Sequence, residues 1–345
     1  RSSNLAKQRG FRMHLIKMIT TVDSHTAGEP TRIVIGGFPR VPGKNMNEKR
    51  IYLQKELDFL RTLLMHEPRG HNDMFGAVLM EPEVSGADLG VVFMDGGGYL
   101  PMCGHGVIGV ATVALEMGLV EAKEPVTTVA LDTPAGIVYT RVNVEDLKVK
   151  SVTVKGLPSF FYTSSTIRVL DIGEVPVEIS FGGNFFAIVN AKDIGIEIKS
   201  ENVTELIQIG MKIRNAANLI PVEHPEIPYI NKVELVEICG ESTNPMADSR
   251  SIVVFGDGQV DRSPCGTGTC AKMATLYARG NLKLNEDFVH ESVLGTLFIG
   301  RLIEETAVGD FKAVVPEVTG SAYITGIQQF IVDPSDPLKY GFCLG

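Results

Sequence analysis

The chain has 345 residues, enough for about two domains with full hydrophobic cores, and its 44% hydrophobic and 21% charged residues are those of a soluble globular protein. A net charge of −9 with no run of Lys or Arg argues against a nucleic-acid surface and points to small solutes as partners. No apolar run approaches the roughly 18 residues that span a bilayer and the N-terminus lacks the apolar core of a signal peptide, so a cytoplasmic protein without membrane contact is expected.

Residues 1–12 (RSSNLAKQRGFR) precede Met13 and read as an extension ahead of the fold. Short β-rich runs follow at Met18–Val22, Arg32–Ile35, Gly76–Met80, Leu89–Met94, Thr127–Leu131, Ile137–Val142 and Val149–Val154. Between them, Asn47–Met65 carries Leu53, Leu57, Leu60 and Leu64 at helical spacing and stops before Pro68, which predicts one helix. A linker near Lys155–Phe161 separates these from strands at Val175–Phe181, Phe185–Val189, Lys232–Ile238, Ser251–Phe255 and Phe311–Val315, with a helix over Glu201–Ala217. Last comes a strand-like run, Tyr323–Val332, whose place of return the sequence alone leaves open.

One stretch occurs twice. Residues 91–118 (VVFMDGGGYLPMCGHGVIGVATVALEMG) and 253–280 (VVFGDGQVDRSPCGTGTCAKMATLYARG) share V-V-F-x-D-G-x6-C-G-x-G-x11-G without a gap. Nine of the 28 positions are identical where chance gives roughly two, which implies two equivalent halves, each with one thiol, Cys103 and Cys265, at a helix start. The helices are expected at Gly104–Met117 and Gly266–Arg279. The first has no charge until Glu116, so it is buried nearly all round, and each half reads as a twisted sheet or partial barrel around a central helix.

A helix N-terminus offers unpaired N–H groups and positive potential, which bind a carboxylate and lower a thiol's pKa from its usual value of about 8.5. Gly104, Gly106, Gly266 and Gly268 keep side chains away from those donors. If the halves face each other across a pseudo-twofold cleft, one cysteine as thiolate removes an α-proton while the other, as thiol, protonates the opposite face. The carboxylate, held between two helix starts, stabilises the enediolate formed in between. No Schiff-base lysine, metal or other cofactor enters this scheme. The patterns GHGVIG and GTGTCA mimic a dinucleotide fingerprint, but about ten residues separate each VVF strand from its glycine, where that fingerprint follows a strand directly. Two competing classes are a metal or redox module built on Cys103, His105, Cys265 and Cys270, and a non-enzymatic imino-acid binding protein; the first lacks any standard zinc spacing and the second gives the thiols no purpose.

DSHTAGE at Asp23–Glu29, RGHNDMFG at Arg69–Gly76, MCGHG at Met102–Gly106, DRSPCGTGT at Asp261–Thr269 and GSAYITG at Gly320–Gly326 resemble the signatures of the proline racemase and hydroxyproline epimerase family. The resemblance runs from about Met13 to Gly345. It implies an α/β (α+β), diaminopimelate epimerase-like fold of two pseudo-symmetric domains, 13–157 plus 322–345 and 158–321, and a cofactor-free homodimer acting on proline or hydroxyproline. It further implies that Gly104, His105, Gly266 and Thr267 contact the substrate carboxylate or ring nitrogen, and that Asp261 contacts the ring nitrogen.

Within that family, dehydration of trans-3-hydroxyproline is disfavoured because both thiol positions are cysteine. Phe75 and Phe255 match an apolar wall around the ring, which favours proline over 4-hydroxyproline as substrate. Phe255 has a plainer reading too, as a strand core residue equivalent to Phe93. Cys270 is expected in the core, and Cys239 and Cys343 carry no signal. His25, His71, His224 and His290 have no ligand spacing, and Asp95 and Asp257 are turn residues by default.

Overall fold

The computed structural model describes residues 17–344; the extension assigned to residues 1–12 lies outside the described residues. Among the described residues six α-helices are defined, α1 (Met46–Glu56), α2 (Asp58–Met65), α3 (Gly104–Glu116), α4 (Ala191–Ile194), α5 (Val203–Ala217) and α6 (Gly266–Ala278). Eighteen strands among the described residues join in one hydrogen-bonded system, and its pairings close into two rings.

The first ring runs Lys17–Thr26, Glu29–Gly36, Phe75–Met80, Leu89–Asp95, Val126–Thr133, Gly136–Glu145, Lys148–Lys155. It closes through Phe311–Gly320, whose last residues pair with Lys148–Lys155 and lead across Ser321 into Ala322–Val332, the antiparallel partner of Lys17–Thr26. The second ring runs Ser159–Val169, Gly173–Phe181, Phe185–Asn190, Val233–Gly240, Ser249–Phe255, Asp287–Glu291, Leu297–Val308 and Phe311–Gly320, closing where Ala313 and Val314 meet Phe160 and Ser159. One strand, Phe311–Gly320, thus belongs to both rings. The chain that leaves the first ring after Lys155 comes back to it at Ala322.

Each ring has two parallel pairs in corresponding places, and a parallel pair needs a crossover. α1 and α2 make the first crossover in one ring, and α4 and α5 make it in the other. The second crossovers are α3 and α6, the helices of the repeat. α3 is buried continuously from His105 to Leu115, as its lack of charge requires. Val107, Ile108, Val110 and Val113 fill the first core with strand residues such as Val22, Phe93 and Val142, each contributing about 1.5–3 kcal/mol of burial. A second core gathers Phe160, Phe181 and Phe185 with Leu206 and Ile213 of α5.

Three expectations change at the level of elements. The helix expected over Asn47–Met65 is two, broken at Leu57 (φ −130°, ψ 16°); Asn45 caps α1 through the Glu48 N–H, and the break turns α2 so that Leu60, Leu63, Leu64 and Met65 all bury. The linker shrinks to residues 156–158, because Ser159–Val169 is a strand whose run of Thr and Ser hides its period. Asp287–Glu291 and Leu297–Val308 are further strands absent from the sequence reading.

Candidate active site

α3 and α6 point their N-termini at each other. A Cβ placed on Gly104 would sit 3.6 Å from the Gly266 Cα, and one on Gly266 would sit 3.6 Å from the Gly104 Cα. The gap between two sets of unpaired N–H groups is therefore kept by the absence of two side chains, and its polarity suits an anion. Cys103 is the N-cap of α3 in extended backbone, and Cys265 is the N-cap of α6. At φ 62°, ψ 113°, Cys265 holds a left-handed backbone that a residue with a Cβ adopts only under strain, of order 1 kcal/mol or more. Its Sγ accepts the Gly268 N–H at 3.4 Å and lies 3.7 Å from Thr267 Oγ1. The Cys103 Sγ lies 3.2 Å from His105 Nδ1.

Gly182 shows how tightly α6 is seated. A Cβ there would lie 2.2 Å from the Thr267 carbonyl oxygen and 2.4 Å from the Ala271 nitrogen, so no other residue lets the Phe181–Asn184 turn touch the first turn of this helix.

Two carboxylates flank the thiols. Asp261, buried on the short strand Gln259–Asp261, accepts the Ser263 N–H and hydroxyl at 2.8 and 2.7 Å, and its charge is felt at Cys103, His105, Cys265 and Glu29. Glu29, from the first ring, reaches across to accept the Arg262 N–H at 2.8 Å. Burial first, and the Asp261 charge second, hold its carboxyl well above the usual range. The Arg262 side chain spans the same junction, 2.8 Å from Asp73 and 3.6 Å from Glu29. Gln259 adds another tie by donating to the Asn72 carbonyl at 2.9 Å.

Thiol acidity departs from the sequence reading. Burial pushes Cys103 and Cys265 upward, Asp261 adds to that, and the helix-start N–H groups of Gly106 and Gly268 oppose it without prevailing. Desolvation of a thiolate outweighs these weak N–H donors, with Cys265 buried and Cys103 partly so. Burial also pushes His105 down, toward the neutral ring.

Gly104, His105, Gly266, Thr267, Asp261 and both cysteines thus converge. Phe75 joins them, its ring edge-on to His105 with centroids 4.3 Å apart. Phe255 ends its strand partly exposed and opposite Gln259; it shares a strand face with Val253, which packs with Cys265. Cys270 lies in the core as expected, its sulfur 3.1 Å from the Cβ position of Gly156, and borders the small apolar cavity that Gly104 and Gly266 also line. Cys239 is buried, Cys343 is exposed, and all five thiols are free. His25 accepts the Gly28 N–H at 3.1 Å, a turn contact. His71 is exposed, and His224 packs between Phe160 and Phe181. Asp95 accepts the Gly97 and Gly98 N–H groups at 2.8 Å as a turn residue. Among the described residues no cluster of three or more His, Cys, Asp or Glu is placed to hold a metal ion, and no helix is long and apolar enough to cross a membrane. Glu29 and Arg262 went unassigned in the sequence, although both lie in or beside the motifs DSHTAGE and DRSPCGTGT.

The proline racemase family profile matches residues 21–343. The chain is 53% identical over 333 residues to the proline racemase of Acetoanaerobium sticklandii (96% of this chain, 99% of that protein) and 53% identical over 334 residues to that of Clostridioides difficile (96% and 100%). Among solved structures, a hydroxyproline epimerase from Agrobacterium vitis with bound trans-4-hydroxy-L-proline superposes with a TM-score of 0.85 at 34% identity, covering 95% of this chain and 96% of that one. The phenazine-biosynthesis PhzF protein of Bacillus anthracis, at 14% identity and TM-score 0.61, shares the fold alone. Two strand rings, two helix starts brought face to face and a match along nearly the whole chain lead to one statement: this chain belongs to the proline racemase family.

Proposed function

We propose that this protein is a cofactor-independent proline racemase, an isomerase that interconverts L- and D-proline with Cys103 and Cys265 as its two acid–base groups. The observation that carries the reading is the approach of the two helix starts, Gly104 to Gly266, each preceded by a cysteine. A substrate carboxylate bridges the N–H groups of Gly104, His105, Gly266 and Thr267, and the ring ammonium faces Asp261. One cysteine as thiolate takes the α-proton, the electron pair moves into the carboxylate as an enediolate, and the other cysteine delivers its thiol proton to the opposite face. Each turnover leaves the two sulfurs with their protonation exchanged, and the reverse reaction exchanges them back.

The two domains, 13–157 plus 322–345 and 158–321, each supply one thiol, and the site lies between them. The return of Ala322–Val332 to Lys17–Thr26 supports this division. Phe75, seated against His105, and Phe255 wall the ring side. A hydroxyl buried there without a partner costs about 1–3 kcal/mol, which favours proline over 4-hydroxyproline. The family resemblance supports a homodimer, which we place in the cytoplasm.

Polarimetry of purified protein with L-proline and, separately, trans-4-hydroxy-L-proline tests the reading. Loss of rotation with proline, abolished in both Cys103→Ser and Cys265→Ser, is the expected result. Near-normal turnover in either variant refutes the two-thiol assignment, and a change with hydroxyproline alone moves the substrate to the 4-hydroxy acid.

A further inference from the structure

Behind Cys265 lies a buried polar cluster that the reaction above does not use. Glu237, on Val233–Gly240, is fully buried. Its Oε1 lies 3.4 Å from His290 Nε2 and accepts from the Cys239 thiol at 3.5 Å, while its Oε2 has no hydrogen-bond partner. His290 Nδ1 lies 2.9 Å from Thr269 Oγ1, which donates to the Cys265 carbonyl at 2.7 Å. The unpartnered Oε2 and the Cys265 sulfur border one gap. A Cβ on Gly268 would be 3.2 Å from the oxygen and 3.3 Å from the sulfur, and the Gly268 N–H is the donor to that sulfur.

The first half has no counterpart to this cluster. In the ungapped repeat, Val107 and Val110 of α3 stand where α6 has Thr269 and Lys272, and Gly106 backs onto Phe93 and Phe75 rather than a carboxyl. Cys239 and Lys272 line a solvent groove with Glu178, Asn190 and Asp193, which gives the Glu237 proton an exchange route.

We propose that Glu237 is a positioning residue for Cys265: the charge state of its carboxyl sets how readily that thiol ionises, a control that Cys103 lacks. The consequence for racemisation rests on the proposed function; the effect on the thiol does not. Burial lifts Glu237 to about 7, against the opposing pull of Lys272 and the Cys239 thiol, so its charge changes in the neutral range. Of the other groups facing it, His290 is neutral, pushed down to about 3 by burial and by Lys272, and the Cys270 thiol is pushed up by burial and by Glu237 itself. Asp261 raises both thiols, and Glu29 adds to Cys103, whereas Glu237 bears on Cys265. Once ionised, Glu237 disfavours a thiolate at Cys265 and leaves Cys103 unaffected.

The test is the pH dependence of iodoacetamide alkylation, read by mass spectrometry at Cys265 in Cys103→Ser protein and at Cys103 in Cys265→Ser protein, each with and without Glu237→Gln. Above pH 8, Glu237→Gln is expected to accelerate alkylation of Cys265 about tenfold, a shift of about one pKa unit, and that of Cys103 less than twofold. With both cysteines present, Glu237→Gln is expected to move the alkaline limb of the racemisation pH profile and leave KM for L-proline within twofold. An unchanged Cys265 rate at every pH, or equal acceleration of both thiols, overturns the proposal. Should Glu237→Gln fail to fold, Lys272→Met serves: it removes the cation that holds Glu237 down and should raise the pH at which Cys265 reactivity changes, and no movement refutes the role. Alkylation reads the thiol without turnover, so these outcomes are distinct from a failure of the racemase reading, which persistent activity in Cys265→Ser would signal.

Discussion

Gly106→Ala separates the packing of the site from its chemistry. A Cβ at residue 106 would lie 2.8 Å from Phe93 Cε1, 2.9 Å from Phe93 Cδ1 and 2.9 Å from Phe75 Cε1. Carbon atoms pack at about 3.5–4.0 Å, so the rings must retreat by about 0.6 Å or more. Both are buried, which limits their room, and overpacking of this size destabilises by about 1–3 kcal/mol. In the first turn of a helix alanine returns at most about 1 kcal/mol relative to glycine, leaving a net loss of about 0–3 kcal/mol. Activity should suffer far more. Phe75 rests edge-on against His105, whose Nδ1 is 3.2 Å from the Cys103 sulfur, so the displaced ring pushes the group beside the reacting thiol. A misplacement of about 1 Å at a reacting centre is worth about 100-fold in rate, and kcat for L-proline racemisation by Gly106→Ala is expected to fall by about that factor while thermal melting stays cooperative. Gly104→Ala is the contrast. Its Cβ meets Gly266 at an ordinary 3.6 Å, so stability should hold while the side chain occupies the carboxylate gap and raises KM. Wild-type kcat in a folded Gly106→Ala would refute the claim that the Phe75–His105 contact fixes the thiol.

Glu237 carries a stability signature as well. Its carboxyl is raised from the usual range to about 7, so the folded state holds a proton that the unfolded chain has released, and this contribution, complete below pH 4, is lost as pH rises to 7. The span corresponds to roughly 3 kcal/mol at most, and the melting-temperature advantage of Glu237→Gln over the parent protein should grow between pH 5 and pH 8; a constant difference would mean burial does not hold the proton. His290 works in the opposite sense, since a ring kept neutral down to about 3 loses stability as pH falls below about 6.5, and His290→Asn should flatten the acid side of the melting profile. Arg262→Met removes the bridge to Asp73 and Glu29, and KM for proline is expected to rise about tenfold with a smaller change in kcat, because the lost contacts hold the two halves together rather than touch the reacting atoms.

The repeat made the centre of the molecule legible. Its offset placed both cysteines at equivalent helix starts, and the uncharged stretch from Gly104 to Leu115 showed α3 to be enclosed, which the burial of His105–Leu115 bears out. What escaped was whatever depends on partners distant in sequence. Glu29 and Arg262 meet only because the rings face each other, and the motifs they lie in do not announce the pairing. Leu57 kept the helical period of its neighbours, yet its backbone leaves the helix. Glu237 did leave a trace. Glu234 and Glu237 lie three apart in one strand, so with a side-chain period of two they cannot both face solvent, and one had to be buried. The rise in thiol pKa was missed for a different reason: a helix start is visible in sequence, whereas the degree of desolvation that opposes it is not.

That rise bears directly on how the proposed reaction begins. Cys265 is buried and Cys103 partly so, and both thiols are pushed toward the neutral form, so the resting site holds no thiolate. Cys265 is only 5% exposed, so the proposed reaction has the two halves part to admit substrate. Parting hydrates the thiols and relieves the desolvation that holds them neutral, and the thiolate is most readily formed at that stage. Closure on a zwitterionic substrate then carries the thiolate into the dry site together with its compensation, an ammonium beside Asp261 and a carboxylate on the two helix starts. The same burial that makes a resting thiolate costly makes it a stronger base once trapped, and it keeps water from the carbanion. The contacts at the junction, Arg262 with Asp73 and Glu29 and Gln259 with Asn72, therefore bear on the proposed acid–base chemistry through the closure they hold, although none touches the α-carbon.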